Sequence, residues 1–225
     1  MKYLLTSGGI TNPSIRAALT GLLRKPIAEC HALCIPTAMY GHPWVGPGRL
    51  AWEFIAGRSE DGMVGLGWSS VGVLELTALP SLEEDLWLPK VRAADVLLVS
   101  GGDALYLSHW VRRSGLAAHL PSLTDTVWVG LSAGSMVMAP RIGQEFVGWQ
   151  PETGDDSALG LVGFSMFPHL DHPDLPTNTM AAAERWAARL PNPSYVIDDA
   201  TAIVVDGPSV EVVSEGNWRL IPAPG

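Results

Sequence analysis

VWVGLSAGSMVMA, residues 127–139, decides the fold: VWV has the apolar run of a strand buried on both faces, GLS a tight turn, and SAGSMVMA the start of a helix. The strand, sharp turn and helix succession recurs along the chain. YLLT (3–6), HALCIP (31–36), VGVLEL (71–76) and DVLLVS (95–100) are further apolar runs bounded by turn residues. Helical patterns separate them: PSIRAALTGLL from Pro13, with Ile15, Leu19, Leu22 and Leu23 on one face, then GRLAWEFIAG, LEEDLWLPKVRAA, ALYLSHWVRRSGL and AAHLPSLTD. This alternation specifies an α/β fold, a doubly wound, mostly parallel sheet flanked by helices. After about residue 160 the texture changes to short strands with DG and EG turns, as in SYVIDDATAIVVDGPSVEVVSEGNWRLIP. Antiparallel hairpins are expected there, completing the sheet or covering one edge. No internal repeat or long Gly/Ser linker divides the chain, so residues 1–225 are expected to form a single domain.

The whole-chain properties narrow the function classes. With 225 residues, 47% hydrophobic and 16% charged, the chain is that of a globular protein large enough to bury its own core. Fourteen Lys and Arg in a formal net charge of -9, with no basic run, argue against a nucleic-acid partner. The opening MKYLLTSGGI is broken by Gly8 and Gly9, which leaves it too short for a signal segment, so it is expected to be the first strand. No apolar run reaches the ~20 residues of a membrane helix. A soluble, cytoplasmic protein with no membrane partner is therefore expected. Cys30 and Cys34 stand in an apolar, extended segment, where a strand would hold them too far apart to bridge, so they are expected as buried free thiols.

Ligands of parallel sheets sit beyond the carboxyl ends of the strands. Three such places stand out: Ser7, Gly8 and Gly9 after the first strand, SGGD at 100–103, and LSAGS at 131–135. The last puts Ser132 in a GxSxG frame, in the strand, turn and helix setting of a nucleophile elbow. There, the free backbone N–H groups and dipole of a helix N-terminus stabilise an alkoxide or oxyanion. Asp103 is placed to cap the helix that SGGD opens, and the Gly101–Gly102 pair lets backbone approach a ligand. The N–H groups of Gly102 and Ala133 make a two-donor oxyanion hole. Against these readings, small residues in both turns can simply allow close strand-helix packing.

A serine nucleophile needs a base, and there are six histidines. His31 falls in an apolar strand pattern and is expected in the core. His109 and His119 fall on helices, and His42 in a Gly/Pro loop. His169 and His172, in FPHLDHPD just beyond VGFSMF, occupy another strand end and are the candidates. The carboxylate that orients the base is sought at Asp198 or Asp199, with Asp171 and Asp174 as local rivals. HLDHPD also invites a metal reading, but it lacks the spacing of a zinc-binding helix; no metal and no cofactor are expected.

Taken together, LLTSGGITNPSI, VSGGDALYL, the LSAG elbow, FPH and IDDATAIVV, in this order and spacing, resemble the peptidase S51 family. That family includes peptidase E, the aspartyl dipeptidases, and cyanophycinase. The resemblance spans nearly the whole chain. It implies the fold of class I glutamine amidotransferases, with serine in place of their cysteine. It further implies Ser132 as nucleophile, His169 as base, Asp199 as the third member of a Ser-His-Asp triad, and Gly102 and Ala133 as oxyanion donors. Gly101 and Asp103 become substrate-binding residues, with Asp103 where the family's GGN has asparagine. RIGQEFVGWQP and LPTNTMAAAERW stand where aspartyl dipeptidases carry TNDMP and GETR, so selection of an N-terminal aspartate is not implied. The expected activity is hydrolysis of an amide bond in a small peptide or amino-acid conjugate, with a homodimer allowed. The rival expectation is a catalytically idle protein that uses the same pocket to bind a small ligand or partner.

Overall fold

The computed structural model describes residues 1–42, 48–151 and 154–224. Seven strands form the large sheet: β1 (Lys2–Thr6), β2 (His31–Ile35), β3 (Ser70–Val73), β4 (Val96–Val99), β5 (Val127–Leu131), β8 (Thr201–Asp206) and β9 (Ser209–Ser214). Their order is β3-β2-β4-β5-β1-β8-β9. The first five are mutually parallel, while β8 runs antiparallel to β1 and to β9. Strands β1, β4 and most of β5 are buried on both faces, as their continuous apolar runs require.

Helices cover both faces. On one, α1 (Pro13–Leu23) and α2 (Arg49–Ile55) contribute Ile15, Leu19, Leu22 and Phe54 to a core with Leu4, Val96 and Val129. Asn12 starts α1 by accepting the Ile15 N–H at 2.9 Å, with Pro13 in the first turn. On the other face, α3 (Glu84–Arg92), α4 (Ala104–Arg113), α5 (Leu116–His119) and α6 (Ala133–Met136) bury Trp87, Leu107, Leu116 and Met136 against Leu5, Leu97 and Trp128.

The C-terminal part departs from the expected hairpins in one respect. Strands β8 and β9 do form an antiparallel hairpin that extends the large sheet, but β6 (Ser165–Phe167), β7 (Ser194–Ile197) and β10 (Trp218–Ile221) form a second sheet of order β10-β7-β6. Within it β6 and β7 are parallel, joined by α7 (Met180–Ala187). Each strand is only three or four residues long, so its alternation splits between two cores: Phe167 and Val196 pack with Trp186 of α7, while Met166 and Ile197 face the large core.

Two further expectations are corrected. VGVLEL yields a strand only over Ser70–Val73, at the sheet edge, where Val71 and Val73 are 42% and 50% exposed rather than buried on both faces. His31 opens β2 exposed, its Nδ1 2.8 Å from Ser70 Oγ, so it is a surface residue rather than a core one. Cys30 and Cys34 are free and buried. Among the described residues no helix is long and apolar enough to cross a membrane.

Candidate active site

Strand β5 ends at Leu131 and α6 begins at Ala133, leaving Ser132 alone to turn the chain. It does so at φ 48°, ψ -108°, a strained conformation for a residue with a Cβ. The flanking glycines make this turn fit. A Cβ on Gly130 would collide with the Gly134 backbone, and one on Gly134 with the Val99 carbonyl. Trp128 Nε1 donates to Gly134 O at 2.7 Å and fastens helix to strand. The Ser132 N–H donates to Thr6 O at 3.0 Å, which carries the β1–β5 ladder one step past Leu131.

His169 and Asp199 reach this serine from the small sheet. His169 lies two residues beyond β6, and Asp199 two beyond β7. Because those strands are parallel, both segments emerge at the same end. His169 Nε2 stands 2.9 Å from Ser132 Oγ and Nδ1 stands 2.8 Å from Asp199 Oδ1. The three groups form an unbroken line in which the imidazole can accept the Ser132 proton at Nε2 while Nδ1–H donates to the carboxylate. Burial works against ionisation of Asp199, but the hydrogen bond and charge of His169, the Ser7 hydroxyl and nearby His172 together hold its carboxyl below the ordinary value.

The rivals separate cleanly. Asp198 is a turn acid: Oδ1 accepts from Ala200 N and Thr201 Oγ1, and Oδ2 from Asn217 N. His172 lies on the far side of Asp199, its Nε2 3.6 Å from Oδ2, beyond hydrogen-bond range. Its Nδ1 accepts the Asp174 N–H at 3.1 Å. Asp171 is exposed and bonds through its backbone to Asn178. Among the described residues no group of His, Cys, Asp or Glu is arranged to hold a metal ion.

Gly101 and Gly102 border the serine from the end of β4. A Cβ on Gly101 would rest 3.5 Å from Ser132 Cβ, and one on Gly102, at φ 133°, would collide with the Ala38 carbonyl. Among the described residues no hydrogen-bond partner occupies the N–H of Gly102 or Ala133. The profile of peptidase family S51 matches residues 3–213. The chain belongs to peptidase family S51.

Two solved structures share the fold of this S51 chain. A peptidase from an acI-B1 Actinobacterium superposes with a TM-score of 0.70 at 19% identity, over 100% of this chain and 95% of its own. A candidate peptidase E from Listeria monocytogenes EGD-e gives 0.63 at 21%, over 96% of this chain and 98% of its own. No curated protein matches the sequence.

Asp103 differs from its expected place among the substrate-binding groups. Its Oδ1 caps α4 by accepting from Leu105 N at 2.9 Å and Tyr106 N at 2.8 Å, and its Oδ2 accepts from Trp149 N at 2.6 Å. Asp103 is only 4% exposed, and both its carboxylate oxygens are taken up by these N–H groups. Burial pushes its carboxyl above the ordinary value, against the pull of those three N–H donors. Neither Trp149 nor Ser7 has a role predicted from sequence. Ser7 did stand at a strand end, which was the available signal, whereas Trp149 carried none.

Proposed function

We propose that this S51 chain is a serine peptidase that cleaves an amide bond in a small peptide or amino-acid conjugate. Ser132 Oγ attacks the carbonyl carbon as His169 Nε2 takes its proton. The oxyanion is held by the N–H groups of Gly102 and Ala133. The C–N bond then breaks, with His169 returning the proton to the leaving amine, and water releases the acyl group from Ser132 by the same route. Asp199 keeps the imidazole oriented and balances its charge. Gly101 lines the substrate's approach, and Asp103 shapes it indirectly by fixing the start of α4 and the Trp149 segment. No metal or cofactor takes part. The buried, unpaired Cys30 and Cys34 suit a reducing cytoplasm.

The observation that carries this reading is the line from Ser132 Oγ to His169 at 2.9 Å and on to Asp199 at 2.8 Å, set at a strained elbow. An idle binding protein would need none of that order. The test is a panel of dipeptides varied at the first residue, with isoaspartyl and glutamyl members, incubated with wild type and Ser132→Ala. Release by the wild type alone is expected. Equal release by both proteins would overturn the mechanism, and ligand-dependent thermal stabilisation without any release would favour binding alone.

A further inference from the structure

The nucleophile belongs to the large sheet, whereas the base and acid belong to the small one, so something must hold the two sheets in register at the site. Two consecutive residues at the end of β1 touch all three groups. Thr6 O accepts from Ser132 N at 3.0 Å and from Ser135 Oγ at 2.8 Å, fixing the elbow. Next in sequence, Ser7 Oγ lies 2.5 Å from Asp199 Oδ1 and 2.7 Å from His169 N.

We propose that Ser7 is a positioning residue, whose hydroxyl locks Asp199 and the His169 backbone in the one arrangement that reaches Ser132. The inference rests on the function proposed above. The hydrogen-bond directions are unambiguous: a carboxylate only accepts and an amide N–H only donates, so Ser7 gives its proton to Asp199 and receives the one from His169. Its 3.3 Å approach to His169 Nδ1 is then a close contact between neighbours on the same acid oxygen. Ser7 is 0% exposed, and the strand before it is paired on both sides, with β5 and β8. Gly8 adds to the fit, since a Cβ there would come within 2.8 Å of Asp199 Cβ. His169 also needs the restraint. Its φ of 57° is a left-handed conformation that costs a non-glycine residue energy.

Ser7→Ala removes a donor from Asp199 and leaves the His169 N–H without its acceptor. The readout is the rate at which a fluorophosphonate modifies Ser132, measured across pH. Because small displacements of a catalytic group are expensive in rate, Ser7→Ala is expected to slow modification by about ten- to a hundredfold. The acid-side limb of the profile moves to higher pH, because the Asp199 carboxylate, with one donor fewer, attracts the positive charge that forms on the imidazole more strongly. In an Asp199→Ala background the same substitution is expected to have a smaller effect, since only the bond from the His169 N–H is then left to lose. Ser7→Thr, which keeps the hydroxyl, is expected to leave the acid limb in place. A wild-type rate and profile in Ser7→Ala would overturn the inference, as would an undiminished effect in the Asp199→Ala background. Loss of fold in both Ser7 variants would make the hydroxyl a folding determinant and overturn it too. Wild type that takes no label at Ser132 removes the proposed function as well, whereas labelled wild type with an unaffected Ser7→Ala removes this inference alone.

Discussion

Phe167 of β6 pairs with Val196 of β7 in parallel register, and this pairing sets His169 beside Asp199. Each catalytic candidate follows its paired strand at the same short remove, so one residue inserted in either strand end would carry its side chain away from the line. The site is thus a product of sheet register as much as of residue identity.

Asp199→Asn is nearly isosteric but cannot accept from His169 Nδ1–H as a carboxylate does, so modification of Ser132 is expected to slow by about a thousandfold or more. Its effect on stability depends on pH. The wild-type carboxyl is held below its ordinary value. The stability it contributes is therefore fully present above the unfolded pKa of ~3.9 and is lost as pH falls through the folded value. Urea midpoints for the two proteins are expected to converge on acidification. A constant gap down to the acid transition would show that Asp199 is not held ionised by the fold.

Asp103→Ala deletes the cap of α4 and the acceptor of the Trp149 N–H. A loss of about 1–2 kcal/mol is expected, read from urea denaturation. Asp103→Asn keeps the cap oxygen but points an amide at Trp149 N–H, and is expected to lose less. Unchanged stability in the alanine variant would contradict this.

Ser132→Gly removes the proposed nucleophile and relieves the φ 48° turn. After the entropy that glycine forfeits on folding, a net gain of about 1 kcal/mol is expected alongside complete loss of reaction. A lower melting temperature would show that the elbow carries no strain.

Burial, with a smaller contribution from the charge of Glu75, pushes the Cys34 thiol up to about 11, and burial also raises Cys30, whose Sγ lies 3.3 Å from Pro26 O. At pH 8 the Cys34 thiolate is then about one part in a thousand. A disulfide reagent is expected to leave both thiols intact in the folded protein and to titrate both in denaturant. Stoichiometric reaction of the folded protein would contradict the burial.

The sequence was most legible where one local rule was enough. Long apolar runs located β1, β2, β4 and β5, and the glycines around Ser132 marked the elbow, because each is a property of a few adjacent residues. The parallel pairing of β6 with β7 is hidden because each strand is only three or four residues long and 26 residues lie between the two, which are joined through α7. His31 departs from its expected core place because a strand's first residue can belong to an apolar run and still face solvent. Asp103 carries two expectations, a helix cap from its own residues and a substrate contact from the resemblance to the GGN turn, and the amides of its own helix and of Trp149 claim both oxygens. The role of Ser7 needed partners at positions 169 and 199, which no local pattern connects.

The central claim is that Ser132 is the nucleophile of the line through His169 to Asp199. It is tested most directly by treating wild type, Ser132→Ala and His169→Ala with a fluorophosphonate and mapping the adduct by peptide mass spectrometry. The account expects a single adduct on Ser132 in the wild type, none in Ser132→Ala, and greatly slowed labelling in His169→Ala. An adduct on another residue that persists in Ser132→Ala, or labelling of Ser132 that proceeds at full rate without His169, would contradict it.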